Sequence, residues 1–425
     1  MEPYLKDFTY LVCTDQEKNA YKIYTATKLN ENLFSCRYGR IGSSSMGKDD
    51  KDLRKWKKKY FEEISDAKKY VDLTEYFQLN IKSNFNSESS LKVVDKKTDL
   101  LNYLMNCSST SIKENYVLDD TIYPNDKLIS KVQTLINEIN NKLKIDCDIK
   151  EINNIYIQLL SLSQRKLKNV KSALFTEIKD DKELQSSFEK MKEEQDLLDT
   201  LQGQIQQFEL NKTKLNSDSD IKQEIDFGFE LIDISKDEEK KLIELLNYGD
   251  TKVGYRFMQA FKVINKKQDS IYNSVSLNSS NKKLLYHGSR NSNYLSILKN
   301  SLKIRPQGAG YSGSLFGDGV YLSNSADKSL GYTDSGRYFN GKSDRLFLTM
   351  FESELGNIYH IKKGERYDSS IDIVSYVKKN GFDSTYAHAG LLYNSWSGNP
   401  LLRDEMIVYN DRQITPKYII ELKIK

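Results

Sequence analysis

The spacing of apolar residues along this chain changes character twice. Through the first 85 residues they come in short β-prone runs: Tyr10-Leu11-Val12-Cys13-Thr14, Ala20-Tyr21-Lys22-Ile23-Tyr24-Thr25 and Leu33-Phe34-Ser35-Cys36-Arg37-Tyr38. The polar turn Asp15-Gln16-Glu17-Lys18-Asn19 parts the first two. Runs of this kind between polar clusters predict strands. A helix presenting Phe61, Ile64, Ala67 and Val71 follows. Residues 86–115 are rich in Ser, Asn and Lys without a clear period, and read as a linker. From 116 to 222 the pattern turns helical. Leu128, Val132, Leu135, Ile136, Ile139 and Leu143 fall at i, i+4, i+7, i+8, i+11 and i+15, one apolar stripe. Ile152, Ile155, Tyr156, Leu159 and Leu160 begin a second, and Phe188, Met191, Leu198, Leu201 and Ile205 belong to later ones. The stripes predict a helical bundle or a dimerising coiled coil.

Residues 223–425 return to mixed patterning. Ser235 and Glu238 form a capping box ahead of Leu242, Ile243, Leu245 and Leu246, with Gly249 as the stop. Strand-like runs then recur at 256–264, 284–287, 345–351, 407–409 and 418–424. Many short strands with few helices predict an α+β domain with a split antiparallel sheet.

Composition adds limits. A chain of 425 residues exceeds one ordinary core, so two to three domains are expected. A net charge of +4 gives no global field that demands nucleic acid, so any basic surface is local. No stretch approaches the ~20 apolar residues of a membrane span, and Met1-Glu2-Pro3-Tyr4-Leu5-Lys6 lacks the charge order and apolar run of a signal peptide. Cys13, Cys36, Cys107 and Cys147 form no Cys-x-x-Cys pair, which argues against structural zinc and for a reducing compartment.

Candidate chemistry sits in three segments. Leu284-Leu285-Tyr286-His287-Gly288-Ser289-Arg290 runs an apolar strand into a turn, and His287 is one of only 3 histidines. Alone it reads equally well as a satisfied core histidine. Gly317-Asp318-Gly319-Val320-Tyr321-Leu322-Ser323 continues to Lys328-Ser329 and Tyr332, and Leu401-Leu402-Arg403-Asp404-Glu405-Met406-Ile407-Val408-Tyr409 lies near the C-terminus. In order, internal spacing and separation, the three together resemble the catalytic domain of the poly(ADP-ribose) polymerases, ADP-ribosyltransferases with a His-Tyr-Glu triad.

The resemblance implies NAD as substrate, with His287, Tyr321 and Glu405 as the triad and no metal. His287 would hold the adenine-side ribose, Gly288 and Ser329 the nicotinamide amide, and Ser289 the dinucleotide. Tyr321 and Tyr332 would sandwich the nicotinamide, since stacking fixes a ring plane and leaves its edge open to hydrogen bonds. Glu405 would bind the 2′-hydroxyl of the nicotinamide ribose and help extend a polymer. Lys328 is expected on the acceptor side. Two positions depart from the commoner family pattern: Lys303 replaces an arginine near the adenosine, losing bidentate contact, and Ser314 replaces a cleft tyrosine, with Tyr311 nearby.

The N-terminal segment resembles the WGR domain of the same family. Tyr38-Gly39-Arg40-Ile41-Gly42 stands where Trp-Gly-Arg-Val-Gly is usual, so Tyr38, Gly39 and Arg40 are expected to meet broken DNA ends. Lys48 to Lys69 adds cations interleaved with Trp56 and Tyr60, a pattern suited to phosphates and bases and equally to a solvated helix face. The helical stretch resembles the family's autoinhibitory domain by position. The resemblance thus divides the chain into 1–85, a linker at 86–115, a regulatory helical domain at 116–222 and a catalytic domain at 223–425. It further implies nuclear localisation, protein acceptors including the enzyme itself, and an accessory protein at the acceptor site. Two other functions fit the residues: transfer of single ADP-ribose units, and a non-catalytic DNA-end-binding scaffold.

Overall fold

The structure, a computed structural model, describes residues 2–43, 45–79, 95–117, 122–145, 147–215, 227–247, 254–277, 280–304, 315–336, 343–367, 371–393 and 400–424. The chain is mixed α+β with several antiparallel sheets. It divides into two compact units, one drawn from Met1–Ser89 and Ser109–Asp220, the other from Ser90–Ser108, Ile221–Gln307 and Ser312–Lys425.

In the first unit, β1 (Phe8–Asp15), β2 (Ala20–Asn30), β3 (Leu33–Arg40) and β4 (Gly47–Asp52) form a meander, and β5 (Val71–Asp72) adds to β1. Alternation sends the two faces of this sheet to different cores. Leu11, Tyr24, Ala26, Phe34 and Cys36 pack on Trp56 and Tyr60 of α1 (Leu53–Glu63). The buried face of α1 is therefore the Trp56–Tyr60 pair, four residues apart. The face expected through Phe61 and Val71 is exposed, at 48% and 57%, and Val71 lies in β5. Two large rings one turn apart bury more surface than the smaller residues of the rival stripe.

The other face of the sheet, through Tyr10, Val12, Tyr21 and Ile23, shares one core with helices. After β6 (Phe77–Leu79) comes α2 (Lys96–Asn115), then β7 (Ile122–Pro124), α3 (Asp126–Ile145), α4 (Ile149–Ser163), α5 (Val170–Ala173) and α6 (Asp181–Leu215). Leu128, Val132, Leu135, Ile136, Ile139 and Leu143 of α3 meet Ile152, Ile155, Tyr156, Leu159 and Leu160 of α4 there. The helical stripes thus pack against α-helices and against the sheet, and one core runs across the boundary drawn near residue 116. Within the supposed linker, residues 96–115 are instead the 20-residue helix α2. Its residues up to Ser108 belong to the second unit, where Leu100 and Leu104 are buried; Ile112 is buried in the core of the first, and Ser108 is buried as well. The Ser-rich sequence hid the period. Residues 80–94 lie outside the described residues.

The second unit opens with β8 (Glu230–Asp233) and α7 (Lys236–Leu246). The Ser235–Glu238 capping box is formed in full, while Gly249 lies outside the described residues. Next come β9 (Tyr255–Ile264), α8 (Lys266–Asn273), β10 (Lys282–Gly288), α9 (Tyr294–Asn300), β11 (Val320–Leu322), α10 (Ala326–Leu330) and β12 (Arg345–Glu354). Then follow β13 (Ile358–Ile361), β14 (Arg366–Tyr367), α11 (Ile373–Lys379), β15 (Ser384–Ala387), β16 (Leu392–Tyr393), β17 (Glu405–Val408) and β18 (Ile414–Ile424). The strands make a five-stranded sheet in the order β10-β12-β18-β9-β8 and a four-stranded sheet in the order β11-β17-β15-β13.

Candidate active site

The site is built where these last two sheets are tied together. In β10, Tyr286 exchanges backbone hydrogen bonds with Ser323: its N–H donates to the Ser323 carbonyl at 2.7 Å, and Ser323 N–H donates back at 3.1 Å. That bridge draws the ends of β10 and β11 together. It leaves Nδ1 of His287 3.2 Å from the carbonyl oxygen of Tyr321. A carbonyl can only accept, so Nδ1 carries a proton.

Gly288 follows, and its lack of a side chain is required. A Cβ there would lie 1.9 Å from the Ser329 carbonyl oxygen. The backbone of α10 is thereby seated directly on the end of β10, and α10 carries Lys328 and Ser329. Just beyond α10, Tyr332 donates its N–H to the Ser329 carbonyl at 3.1 Å.

Tyr321 lies in β11, paired with Ile407 of β17. Its hydroxyl donates to the Gly317 carbonyl (2.9 Å) and accepts from Phe316 N–H (2.8 Å). Gly317 turns there at φ +79°, a conformation that disfavours side chains. Burial pushes the Tyr321 hydroxyl well above the usual tyrosine range, so it stays neutral at physiological pH. The ring is thus fixed at its polar end.

Glu405 is the first residue of β17, is 7% exposed, and pairs across the sheet with Ala387 of β15. Its carboxylate forms an ion pair with Lys328. Burial beside one cation keeps such a group a strong hydrogen-bond acceptor. The neighbouring residues are committed as well. Arg403 pairs with Asp327 of α10 at 3.4 Å, and Asp404 accepts from Ala389 N–H (2.8 Å), the Tyr386 hydroxyl (2.7 Å) and the Asn324 amide (3.1 Å).

His287, Gly288, Tyr321, Lys328, Ser329 and Glu405 are therefore joined through contacts or adjacent strands. Ser289 stays close to β10 and is held by α9 and the turn before it: its N–H donates to the Tyr294 hydroxyl, and its Oγ accepts from the Asn293 amide, both at 3.2 Å. Lys303 is committed elsewhere, to Asp411 at 3.2 Å. Ser314 and Tyr311 lie outside the described residues.

Tyr38, Gly39 and Arg40 belong to the first unit. The Tyr38 ring stacks on Tyr24 (5.3 Å between centroids, 12°) and is 39% exposed. A Cβ at Gly39 would meet the Met46 sulfur at 2.9 Å. Arg40 donates to the backbone carbonyls of Asn19 (2.8 Å) and Lys168 (3.2 Å). Trp56 and Tyr60, considered above as interleaved nucleic-acid contacts, are 0% and 3% exposed and serve the core instead.

Sequence reading overlooked the partners of Asp404. Asn324 and Tyr386 lie 80 and 18 residues from it, and no motif links them. Among the described residues there is no group of three or more His, Cys, Asp or Glu able to hold a metal, and no helix long and apolar enough to cross a membrane.

A family model described as the poly(ADP-ribose) polymerase catalytic domain matches residues 236–424. The putative poly [ADP-ribose] polymerase-like 100L of invertebrate iridescent virus 6 is 32% identical over 195 residues, which are 45% of this chain and 99% of that protein. Poly [ADP-ribose] polymerase 1 of Oryza sativa subsp. japonica is 28% identical over 178 residues, 39% of this chain and 18% of the relative. Its namesake in Danio rerio is 30% identical over 158 residues, 34% and 15% of the two chains. The match thus spans nearly all of the viral relative and less than a fifth of the other two.

Proposed function

The chain belongs to the poly(ADP-ribose) polymerase family, and we propose that it is a DNA-break-stimulated polymerase that transfers ADP-ribose from NAD to protein acceptors, itself included, and then elongates the chain. Cleavage of the nicotinamide–ribose bond passes through an oxocarbenium-like state, so the enzyme must hold the leaving group and steady the ribose. His287 receives the adenine-side ribose. The Gly288 backbone and the Ser329 hydroxyl hold the amide, with Ser289 supporting the dinucleotide. Tyr321 and Tyr332 flank the nicotinamide ring. Glu405 accepts from the 2′-hydroxyl of the ribose and polarises the acceptor hydroxyl that extends the polymer, while Lys328 keeps that carboxylate in place.

The observation that carries this reading is the buried Glu405 carboxylate, ion-paired to Lys328 at the start of β17. A buried glutamate facing a cation suits elongation, where a second hydroxyl must be activated. DNA stimulation is supported by the first unit. Tyr38 ends an aromatic column through Tyr24 to Trp56, its ring partly open to stack on a terminal base. Arg40, two residues on, bonds to the backbone at Lys168, so a ligand on Tyr38 has a short path to the segment between α4 and α5. Nuclear location accords with a broken-DNA activator.

Labelled NAD incorporation by the purified chain, with and without nicked DNA, tests the reading. The expected result is a DNA-stimulated ladder that collapses to short or no product in Glu405→Gln. A single modified band in both proteins would show mono-transfer. Equal activity with and without DNA would remove the switch, and no incorporation would leave a binding scaffold.

A further inference from the structure

The residue before Glu405 has no part in the chemistry above, yet it is the most heavily bonded carboxylate in its surroundings. Oδ1 of Asp404 accepts from Ala389 N–H at 2.8 Å, and Oδ2 accepts from the Tyr386 hydroxyl at 2.7 Å and from Asn324 Nδ2 at 3.1 Å. Its own carbonyl accepts from Ser323 Oγ at 2.9 Å, and the Ser323 hydroxyl oxygen in turn accepts from Ser325 N–H at 3.1 Å. Ser325 is the N-cap residue of α10, the helix that bears Lys328 and Ser329. One residue thus knots three segments: the end of β15, the turn from β11 into α10, and the start of β17.

The aromatic partner is itself held. The Tyr386 ring stacks on His388 (4.2 Å, 12°), and His360 packs on both, its Nδ1 3.0 Å from His388 Nε2. Lys283 lies over the Tyr386 ring at 5.6 Å. A hydroxyl on a ring so fixed arrives in one direction. Burial alone would raise the Asp404 pKa, but the bonds from Ala389, Tyr386 and Asn324, with the field of His388, hold it below the usual carboxylate value.

We propose that Asp404 is a positioning residue for the Glu405–Lys328 pair: it sets the start of β17 and the start of α10 at a common point, so that the carboxylate and the ammonium meet in the geometry transfer requires. The proposal rests on the transferase reading above. Strand β17 delivers Glu405 only to within the play of its first residue, and α10 is a single short helix. Misplacement of a reacting group by about 1 Å costs on the order of a hundredfold in rate, so a fixed point shared by the two elements matters to turnover more than to stability.

The test is a double-mutant cycle on the full chain with nicked DNA, following nicotinamide release and product length. Asp404→Asn keeps the shape and presents a donor where acceptors are needed. Its kcat is expected to fall on the order of ten- to a hundredfold, with KM for NAD within about twofold of wild type. Tyr386→Phe keeps the ring stack and removes one bond, so a smaller fall in the same direction is expected; it also carries the cycle if Asp404→Asn does not fold. In a Glu405→Gln background either change should have no further effect on the residual NAD cleavage, because the group it positions is gone.

A wild-type rate in Asp404→Asn and Tyr386→Phe, a rise in KM with kcat unchanged, or an equal further loss in the Glu405→Gln background would each overturn the proposal. Those results would leave the transferase reading standing. Absence of nicotinamide release by the wild-type chain would overturn that reading and this one with it.

Discussion

Glu194 in the first unit and Glu405 in the second are both buried carboxylates facing a cation, at 8% and 7% exposure, and the protein surrounds them differently. Around Glu194 each carboxylate oxygen has a partner. Arg165 pairs with one oxygen and the Tyr156 hydroxyl donates to the other at 2.9 Å. Arg165 in turn donates to the Asn115 carbonyl at 3.3 Å and lies 5.5 Å from the centre of the Tyr116 ring. Around Glu405, Lys328 is the partner the described residues supply. A saturated pair joins segments; a carboxylate with one oxygen left to accept is suited to a ligand hydroxyl. Burial and charge do not tell the two glutamates apart, and the count of partners does.

The sharpest way to break that comparison is to neutralise each glutamate. Glu405→Gln is expected to lower polymer synthesis by about 10²–10³-fold, the scale of losing one preorganised electrostatic contact, with a smaller fall in melting temperature than Glu194→Gln. Glu194→Gln is expected to do the reverse. It leaves a buried guanidinium without its counter-charge, a loss of about 3–5 kcal/mol, read as a lower midpoint in urea. If Glu405→Gln proved the more destabilising of the two, the distinction would fail.

A second contrast sharpens the point at the level of the backbone. Gly39 and Gly288 both sit in motif positions, but a Cβ at Gly39 meets the end of a flexible methionine, whereas at Gly288 it meets the Ser329 carbonyl. Gly288→Ala must push α10 off β10. The expected cost is about 1–3 kcal/mol, with a loss of NAD turnover larger than the stability loss would explain. Gly39→Ala is expected to leave nicotinamide release without DNA near wild type. Thermal melts and nicotinamide release on the two variants check this.

How much of this could be read from sequence depends on how local the cause is. The Ser235–Glu238 box, the strand carrying His287 and the strand led by Glu405 depend on neighbours within a few residues, and all three were legible. The helix at 96–115 was not, because Cys107-Ser108-Ser109-Thr110-Ser111 breaks the apolar rhythm, while Leu100 and Leu104 are buried in one core and Ile112 in another. The core shared by Tyr21 and Leu160, whose hydroxyl–carbonyl bond joins residues 139 apart, has no local signature either. The same holds for Arg40. Its bonds to the carbonyls of Asn19 and Lys168 run to backbone 21 and 128 residues away.

The mildest test concerns Lys190, which sits beside the Glu194 network and shows what a less saturated neighbour costs. Its ammonium lies 4.0 Å from the Phe175 ring centre and 4.4 Å from that of Tyr156, and donates to the Ala173 carbonyl. Burial lowers its pKa to about 8, against the pull of Glu194 and Glu193. In the unfolded chain the same group titrates near ~10.4. Between those values the unfolded state holds a proton that the folded state has given up, so stability contributed by Lys190 rises with pH from about 8 to ~10.4. Below about 8 both states are charged and the burial penalty is present in full. Lys190→Met is therefore expected to raise the melting temperature at pH 7 by a few degrees, less whatever the cation–π contacts contribute, and to abolish the rise above pH 8. Buried Tyr21, Tyr116 and Tyr156, all pushed upward by burial, act in the opposite sense at alkaline pH. They are common to both proteins and cancel in the difference between the two melting curves. A difference that stays flat from pH 7 to 10 would show that Lys190 is solvated, and that saturation around Glu194 extends no further than Arg165 and Tyr156.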